Sequence, residues 1–165
     1  MDFAHLSRLL WRERDLLDTL LFKLHEQNLL LTAGDAEWLP RASREIEAVL
    51  ERVGEIELER AVEFARASTA LGLEADPSLR TLAEKAPEPW GYVLEEHHHA
   101  FVTLAARIQH SADANKELTV AASRATEAVL AGLDGAKEST TAYAATGQVQ
   151  VDIRRPRPSL VDEAI

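Results

Sequence analysis

Five consecutive residues, Glu95-Glu96-His97-His98-His99, form the richest set of metal-ligating side chains in the sequence. Residues three apart share a helical face, so Glu95 with His98 and Glu96 with His99 each pair a carboxylate with an imidazole. Di-metal helical bundles repeat this Glu-x-x-His spacing on a second helix and add two further carboxylates. The motif therefore raises the question of a metal-dependent bundle enzyme.

The rest of the sequence does not complete such a site. There is no second Glu-x-x-His, and His5, His25 and His110 match no similar pattern. His97 falls on an apolar stripe that His98 and His99 do not share, which favours a solvated helix face with one buried or half-buried histidine. A glycine-rich phosphate loop and a nucleophile with a recognisable base are also missing. We therefore expect no enzyme activity, no cofactor and no bound metal.

The composition predicts long helices. Ala, Leu, Glu, Arg and Lys account for 88 of 165 residues, with only six prolines and seven glycines to interrupt them. A chain of this length is expected to form one domain with a buried core. The formal net charge of −10 argues against a general nucleic-acid or anionic-membrane binder, with a local exception at Arg154, Arg155 and Arg157.

Other features of the whole sequence indicate the cellular compartment of the protein. The chain contains no cysteine, so disulfides and thiolate metal sites are excluded. It shows neither a membrane-length apolar run nor a basic, signal-like start after Met1. We expect a cytoplasmic protein.

Caps, prolines and glycines set the expected helix ends. We predict an all-α, elongated up-down bundle of three long helices plus one short helix, coiled-coil-like, with a flexible C-terminal tail. The long helices are expected over 2–32, 35–71 and 89–133, the second starting regularly only near Leu39 because of Pro40. The short helix is expected to begin at Asp76-Pro77. Residues 1–133 would be the bundle and 134–165 the tail.

Apolar seams define the predicted core. In the second helix the seam consists of Ala42, Ile46, Val49, Val53 and Ile56. In the first helix Glu13 and Gln27 interrupt a leucine-rich seam, where they are expected to set register or splay outward. The last helix carries one stripe at alternating spacings of four and three. This stripe is made of Trp90, Leu94, His97, Phe101, Leu104, Ile108, Ser111, Asn115, Leu118, Ala122, Ala125 and Val129.

The last helix is predicted to be longer than the first, so its distal part cannot be fully covered by that neighbour. An uncovered apolar face is a docking site or a dimer interface, and core packing within the monomer is the alternative. The candidate partner-binding residues here are Leu118, Ala122, Ala125, Val129 and Leu133.

The tail after Asp134 has poor helix propensity but regularly spaced apolar residues. Segments of this kind commonly fold on binding, whereas an inert linker is the alternative. The candidate partner-binding residues in the tail are Tyr143, Val149, Val151, Ile153, Leu160 and Val161.

The order of several short motifs resembles the FlgN-type flagellar export chaperones, particularly those of high-GC Gram-positive bacteria. These motifs are Leu6-Ser7-Arg8-Leu9-Leu10, Trp38-Leu39, Asp76-Pro77-Ser78-Leu79, Pro87-Glu88-Pro89-Trp90, Asn115, Tyr143 with Gly147, and Ser159-Leu160-Val161-Asp162-Glu163-Ala164. The resemblance covers nearly the whole chain.

This resemblance implies a cytoplasmic chaperone that holds hook-associated (hook-filament junction) proteins and delivers them to the flagellar type III export gate. It also implies that the C-terminal region engages the substrate and that Tyr143 docks on the gate. Ala144 departs from the family, which often has an acidic residue after that tyrosine. The main alternative is a coiled-coil scaffold that dimerises through the same stripe, and a metal-dependent bundle enzyme comes third.

Overall fold

The computed structural model describes residues 2–73 and 77–141, with side chains as far as residue 133. All regular structure in these residues is helical: α1 (Phe3–Ala33), α2 (Leu39–Leu71), α3 (Leu79–Lys85) and α4 (Trp90–Thr141). The predicted all-α class with three long helices and one short helix is confirmed. The chain divides into two compact units, residues 1–123 and 124–165. The first unit holds α1 to α3 and most of α4, and the second holds the rest of α4.

The ends of α1 and α2 follow local sequence signals. The Asp2 carboxylate accepts a hydrogen bond from the His5 backbone N–H at 2.9 Å, which caps the first turn of α1. Gly34 and Gly72 end the two long helices with φ of 67° and 66°, a left-handed conformation that glycine adopts without steric cost. The predicted ends of α1 near residues 32–33 and of α2 at residue 71 are confirmed. Each of these ends is determined by one glycine.

Two boundaries differ from the predicted ones, whereas the regular start of α2 at Leu39, with Pro40 in the first turn, is as predicted. The start of α3 lies after Ser78, whose hydroxyl accepts a hydrogen bond from the Thr81 backbone N–H, so the start predicted at Asp76-Pro77 is displaced. The end of α4 at Thr141 lies beyond the predicted end at Leu133. Its sequence from 136 to 138 is Ala-Lys-Glu, three strong helix formers that offset the cost of one glycine.

The core of the first unit has two apolar clusters. One joins all four helices around Leu6, Leu10 and Leu94, which are fully buried. The other joins α1 and α2, with Ile108 and Ala112 of α4 packed against it. The predicted α2 seam is confirmed, since each of its members is buried: Ala42, Ile46, Val49, Val53 and Ile56.

The helices of the first unit alternate in direction. Arg12 pairs with Glu59 and Lys23 with Glu45, so residue numbers rise along α1 as they fall along α2. Unlike α2, α4 runs parallel to α1. The ring of Phe3, near the start of α1, stacks on Trp90, at the start of α4. No helix in the described residues is long and apolar enough to cross a membrane.

Candidate partner-binding site

The proximal half of the α4 stripe is covered by α1. Leu94 and Leu104 are buried, and Phe101 packs against the first apolar cluster. Two polar members of the same stripe, His97 and Asn115, are 1% and 4% exposed. Buried polar groups are retained where they find hydrogen-bond partners, so the contacts of these two residues define how α4 sits on α1.

His97 lies in a polar pocket formed by α1. Its Nε2 is 3.3 Å from the Ser7 hydroxyl, and Arg14 Nη1 is 3.4 Å from its Nδ1. Arginine can only donate, so Nδ1 accepts and Nε2–H donates to Ser7. Burial, followed by the nearby Arg14 charge, lowers the pKa of His97 to about 4. The imidazole is therefore neutral at physiological pH and serves packing and hydrogen bonding, as the sequence predicted for a buried histidine.

The neighbouring histidines have different surroundings. His99 is exposed, and its Nε2 lies 3.8 Å from the exposed Glu95 carboxylate one turn earlier. The rings of His98 and His99 are 5.9 Å apart and tilted. Within the described residues, no group of three or more potential ligands could hold a metal ion. Glu95, Glu96 and His99 are exposed and His98 is half-buried, so both Glu-x-x-His pairs lie off the buried stripe that carries His97.

Asn115 makes three hydrogen bonds to α1. Its amide donates to the Leu24 carbonyl at 2.8 Å and to Gln27 Oε1 at 3.0 Å, and its carbonyl accepts from Asn28 Nδ2 at 2.8 Å. The side-chain amide thus has both donors and its acceptor satisfied. Gln27 also donates to the Ser43 hydroxyl of α2, so the polar layer crosses all three long helices.

Glu13 is the other predicted polar seam residue, and it is buried at 2% exposure. Arg60 of α2 donates to Glu13 Oε1, whereas Oε2 has no hydrogen-bond partner among the described residues. Burial raises the pKa of Glu13, and Arg60 partly opposes that increase. The register-setting interpretation of Glu13 and Gln27 agrees with these contacts between α1 and α2.

The contacts also show where α1 stops covering α4. The Asn28–Asn115 hydrogen bond places Ala33, the last residue of α1, beside about residue 120 of α4. Leu118 is half-buried, and every residue from 119 to 133 is exposed. We call the stripe that the sequence predicts at Leu118, Ala122, Ala125, Val129 and Leu133 the distal face; its first two residues belong to the first unit and the other three to the second.

The distal face is apolar and narrow. At 100° per residue its five members fall within about 80° of the helix circumference, whereas Arg124 and Glu127 fall on the opposite side. Val129 and Leu133 are 59% and 57% exposed. Ala121, Ala128 and Gly132 flank the stripe and were not among the predicted site residues, although the same helical periodicity could have revealed them. The distal face can therefore receive an apolar surface at close range.

Comparison with known proteins identifies the family. A family model for the FlgN protein matches residues 1–150. The chain belongs to the FlgN family. No curated protein and no solved structure matches the chain.

Membership of the FlgN family identifies the general role as that of a flagellar export chaperone. FlgN-family chaperones bind other flagellar proteins, so an uncovered apolar helix face has an expected use. The matched region includes α1 to α4 and the first part of the predicted tail. The predicted tail residues Tyr143, Val149, Val151, Ile153, Leu160 and Val161 lie outside the described residues.

Proposed function

We propose that this chain is a cytoplasmic chaperone that binds hook-associated proteins and delivers them to the flagellar export gate without catalysing a reaction. The observation that carries the proposal is the exposed distal face of α4 in a member of the FlgN family. An export substrate must be kept from assembling before it is secreted. An apolar helix face binds the exposed apolar segments of such a substrate reversibly, without a chemical reaction.

The distal face is suited to this task because most of it lies beyond the buried residues that hold α4 on α1. Val129 is more than half exposed, whereas the buried residues that hold α4 on α1 lie at and before Asn115. A partner can therefore be bound or released at the distal face while the hydrogen bonds at His97 and Asn115 stay formed. The opposite side of the helix carries the charged residues Arg124 and Glu127, which keep the exposed helix solvated.

The tail supplies the second part of the proposal. The FlgN resemblance assigns Tyr143 to docking on the export gate and the C-terminal region to substrate contact. Val149, Val151 and Ile153 alternate in sequence, a pattern that suits pairing with an extended or folding partner. We therefore propose that the distal face and the tail contact the substrate together and that Tyr143 contacts the gate.

The test uses a matched pair of substitutions in α4. Val129 lies on the distal face, and Val120, nine residues earlier and 42% exposed, lies about 180° away around the helix. Purified wild type, Val129→Asp and Val120→Asp would each be titrated with each hook-associated protein of the same organism by calorimetry. We expect Val129→Asp to weaken binding at least about tenfold and Val120→Asp to leave it within about twofold, since a buried charge costs more than an exposed one.

Melting temperature and oligomeric state complete the test. Both variants should melt within a few degrees of wild type, because both positions are exposed. Wild type that binds none of the hook-associated proteins, but forms a dimer that Val129→Asp dissociates, would refute the chaperone assignment and support the scaffold alternative. Motility and secretion in a Tyr143→Ala strain, with Tyr143→Phe as control, would test docking on the gate.

A further inference from the structure

The α4 side of the interface with α1 contains two buried polar residues, His97 and Asn115. They are 18 residues apart, and each exchanges hydrogen bonds with α1. The surrounding stripe is apolar at Leu94, Leu104 and Ile108. Apolar stripes of this kind pair almost equally well when one helix slips by a heptad, about 10 Å along its axis. The two polar positions are the features of this interface that distinguish one register from the next.

We propose that His97 and Asn115 form a two-point register lock that holds α4 in a single register on α1 and so determines which part of α4 stays uncovered. The two points act together because their α1 partners occur as two separate groups. Ser7 and Arg14 face His97, and Gln27 with Asn28 faces Asn115. Only one register presents a polar α4 residue to both groups at once.

A heptad slip in either direction leaves both groups without their partners on α4. If α4 moved so that Ala122 replaced Asn115, Leu104 would replace His97 beside Ser7 and Arg14. In the opposite slip, Ile108 would replace Asn115 and Trp90 would replace His97. The guanidinium and amide groups of α1 would then face hydrocarbon, which is unfavourable for any buried polar group.

The register matters for the proposed function, on which this part of the inference rests. In the observed register the last turn of α1 lies beside about residue 120 of α4, just before most of the distal face. The slip that puts Ala122 in the place of Asn115 would set α1 against Ala122 and Ala125. The lock therefore keeps the distal face available for a partner.

The experiment measures the register directly, with no partner present. Because the chain has no cysteine, nitroxide labels can be placed at Asp18→Cys and Glu117→Cys, both exposed and at different heights along the helices. Electron-electron double resonance should give one distance peak for this labelled parent. Adding His97→Leu and Asn115→Leu should keep the helical circular dichroism and add a second peak, displaced by up to about 10 Å.

Controls make the result decisive. Gln109→Leu, an exposed polar-to-leucine change on α4, should leave the single peak. Asn28→Leu with Asn115→Leu removes both sides of one hydrogen bond and should also broaden or split the peak.

Two results would refute the lock. One is a folded His97→Leu, Asn115→Leu variant that keeps the parent's single peak. The other is loss of the helical signal in both double variants, since the polar groups would then be needed for folding itself. Failure of the parent to bind a hook-associated protein would refute the proposed function and leave the register result intact.

Discussion

Acidification should destabilise this protein through one buried histidine. His97 has a pKa of about 4 in the folded protein, because burial and Arg14 oppose its protonation, against an ordinary value of 6.5. The unfolded chain therefore binds a proton between these pH values that the folded chain does not. The stabilisation from keeping His97 neutral is complete above about pH 6.5 and is lost progressively as the pH falls toward 4.

The magnitude follows from linkage. The loss of unfolding free energy attributable to His97 should be near zero at pH 7.5, about 1.4 kcal/mol at pH 5.5 and about 2.5 kcal/mol at pH 4.5. Other groups also change the stability at the acidic end of this range. Lys23 and then Arg41 lower the pKa of Glu45 from 4.5 to about 2, so near pH 4.5 this carboxyl begins to be protonated in the unfolded chain only. The comparison must therefore be between wild type and His97→Gln, which retains a polar side chain but does not titrate.

The assay is urea unfolding of both proteins at the three pH values, followed by circular dichroism at constant ionic strength. The difference between wild type and His97→Gln should shrink by about 2.5 kcal/mol from pH 7.5 to 4.5, and NMR should show the His97 ring titrating near pH 4. Parallel stability curves for the two proteins, or a His97 ring that titrates near 6.5, would show that the imidazole is not confined as the contacts with Ser7 and Arg14 require.

Two further predictions concern the core and the tail. Arg60→Ala leaves the Glu13 carboxylate buried without its partner, so it should lower the unfolding free energy by about 2 kcal/mol. Arg12→Ala, which breaks an exposed pair with Glu59, should change it by less than about 0.5 kcal/mol, and equal losses would contradict the argument. Deleting 136–165 should leave the melting temperature unchanged but reduce substrate binding or export, and intact binding and export would identify the tail as an inert linker.

The distal face follows the part of α4 that is held on α1. The hydrogen bonds of Asn115 lie near the end of the part of α4 that α1 covers, and the exposed Val129 and Leu133 side chains follow about four and five turns later. Under the proposed function, stability and partner binding depend on different residues of one helix. Substitutions at His97 or Asn115 should act on the fold and its register, and substitutions at Val129 should act on capture.

Local sequence determined the helices and most of their ends. Gly34 and Gly72 end α1 and α2 because a left-handed residue is needed at that point, and Asp2 begins α1 because its carboxylate satisfies a free backbone N–H. These are interactions within a few residues, so they can be recognised in the sequence. The periodic seam of Ala42, Ile46, Val49, Val53 and Ile56 likewise determined which α2 face is buried.

The tertiary structure alone decided the partners and the limits of the site. The pairing of His97 with Ser7 and Arg14, and of Asn115 with Leu24, Gln27 and Asn28, joins residues 83 to 91 positions apart in the chain. Periodicity shows that a residue faces a neighbouring helix but not which residues it meets there, because many registers satisfy the same apolar pattern. Only the packed helices show that cover by α1 ends near residue 120, which leaves Leu118 half-buried, whereas Val129 is exposed.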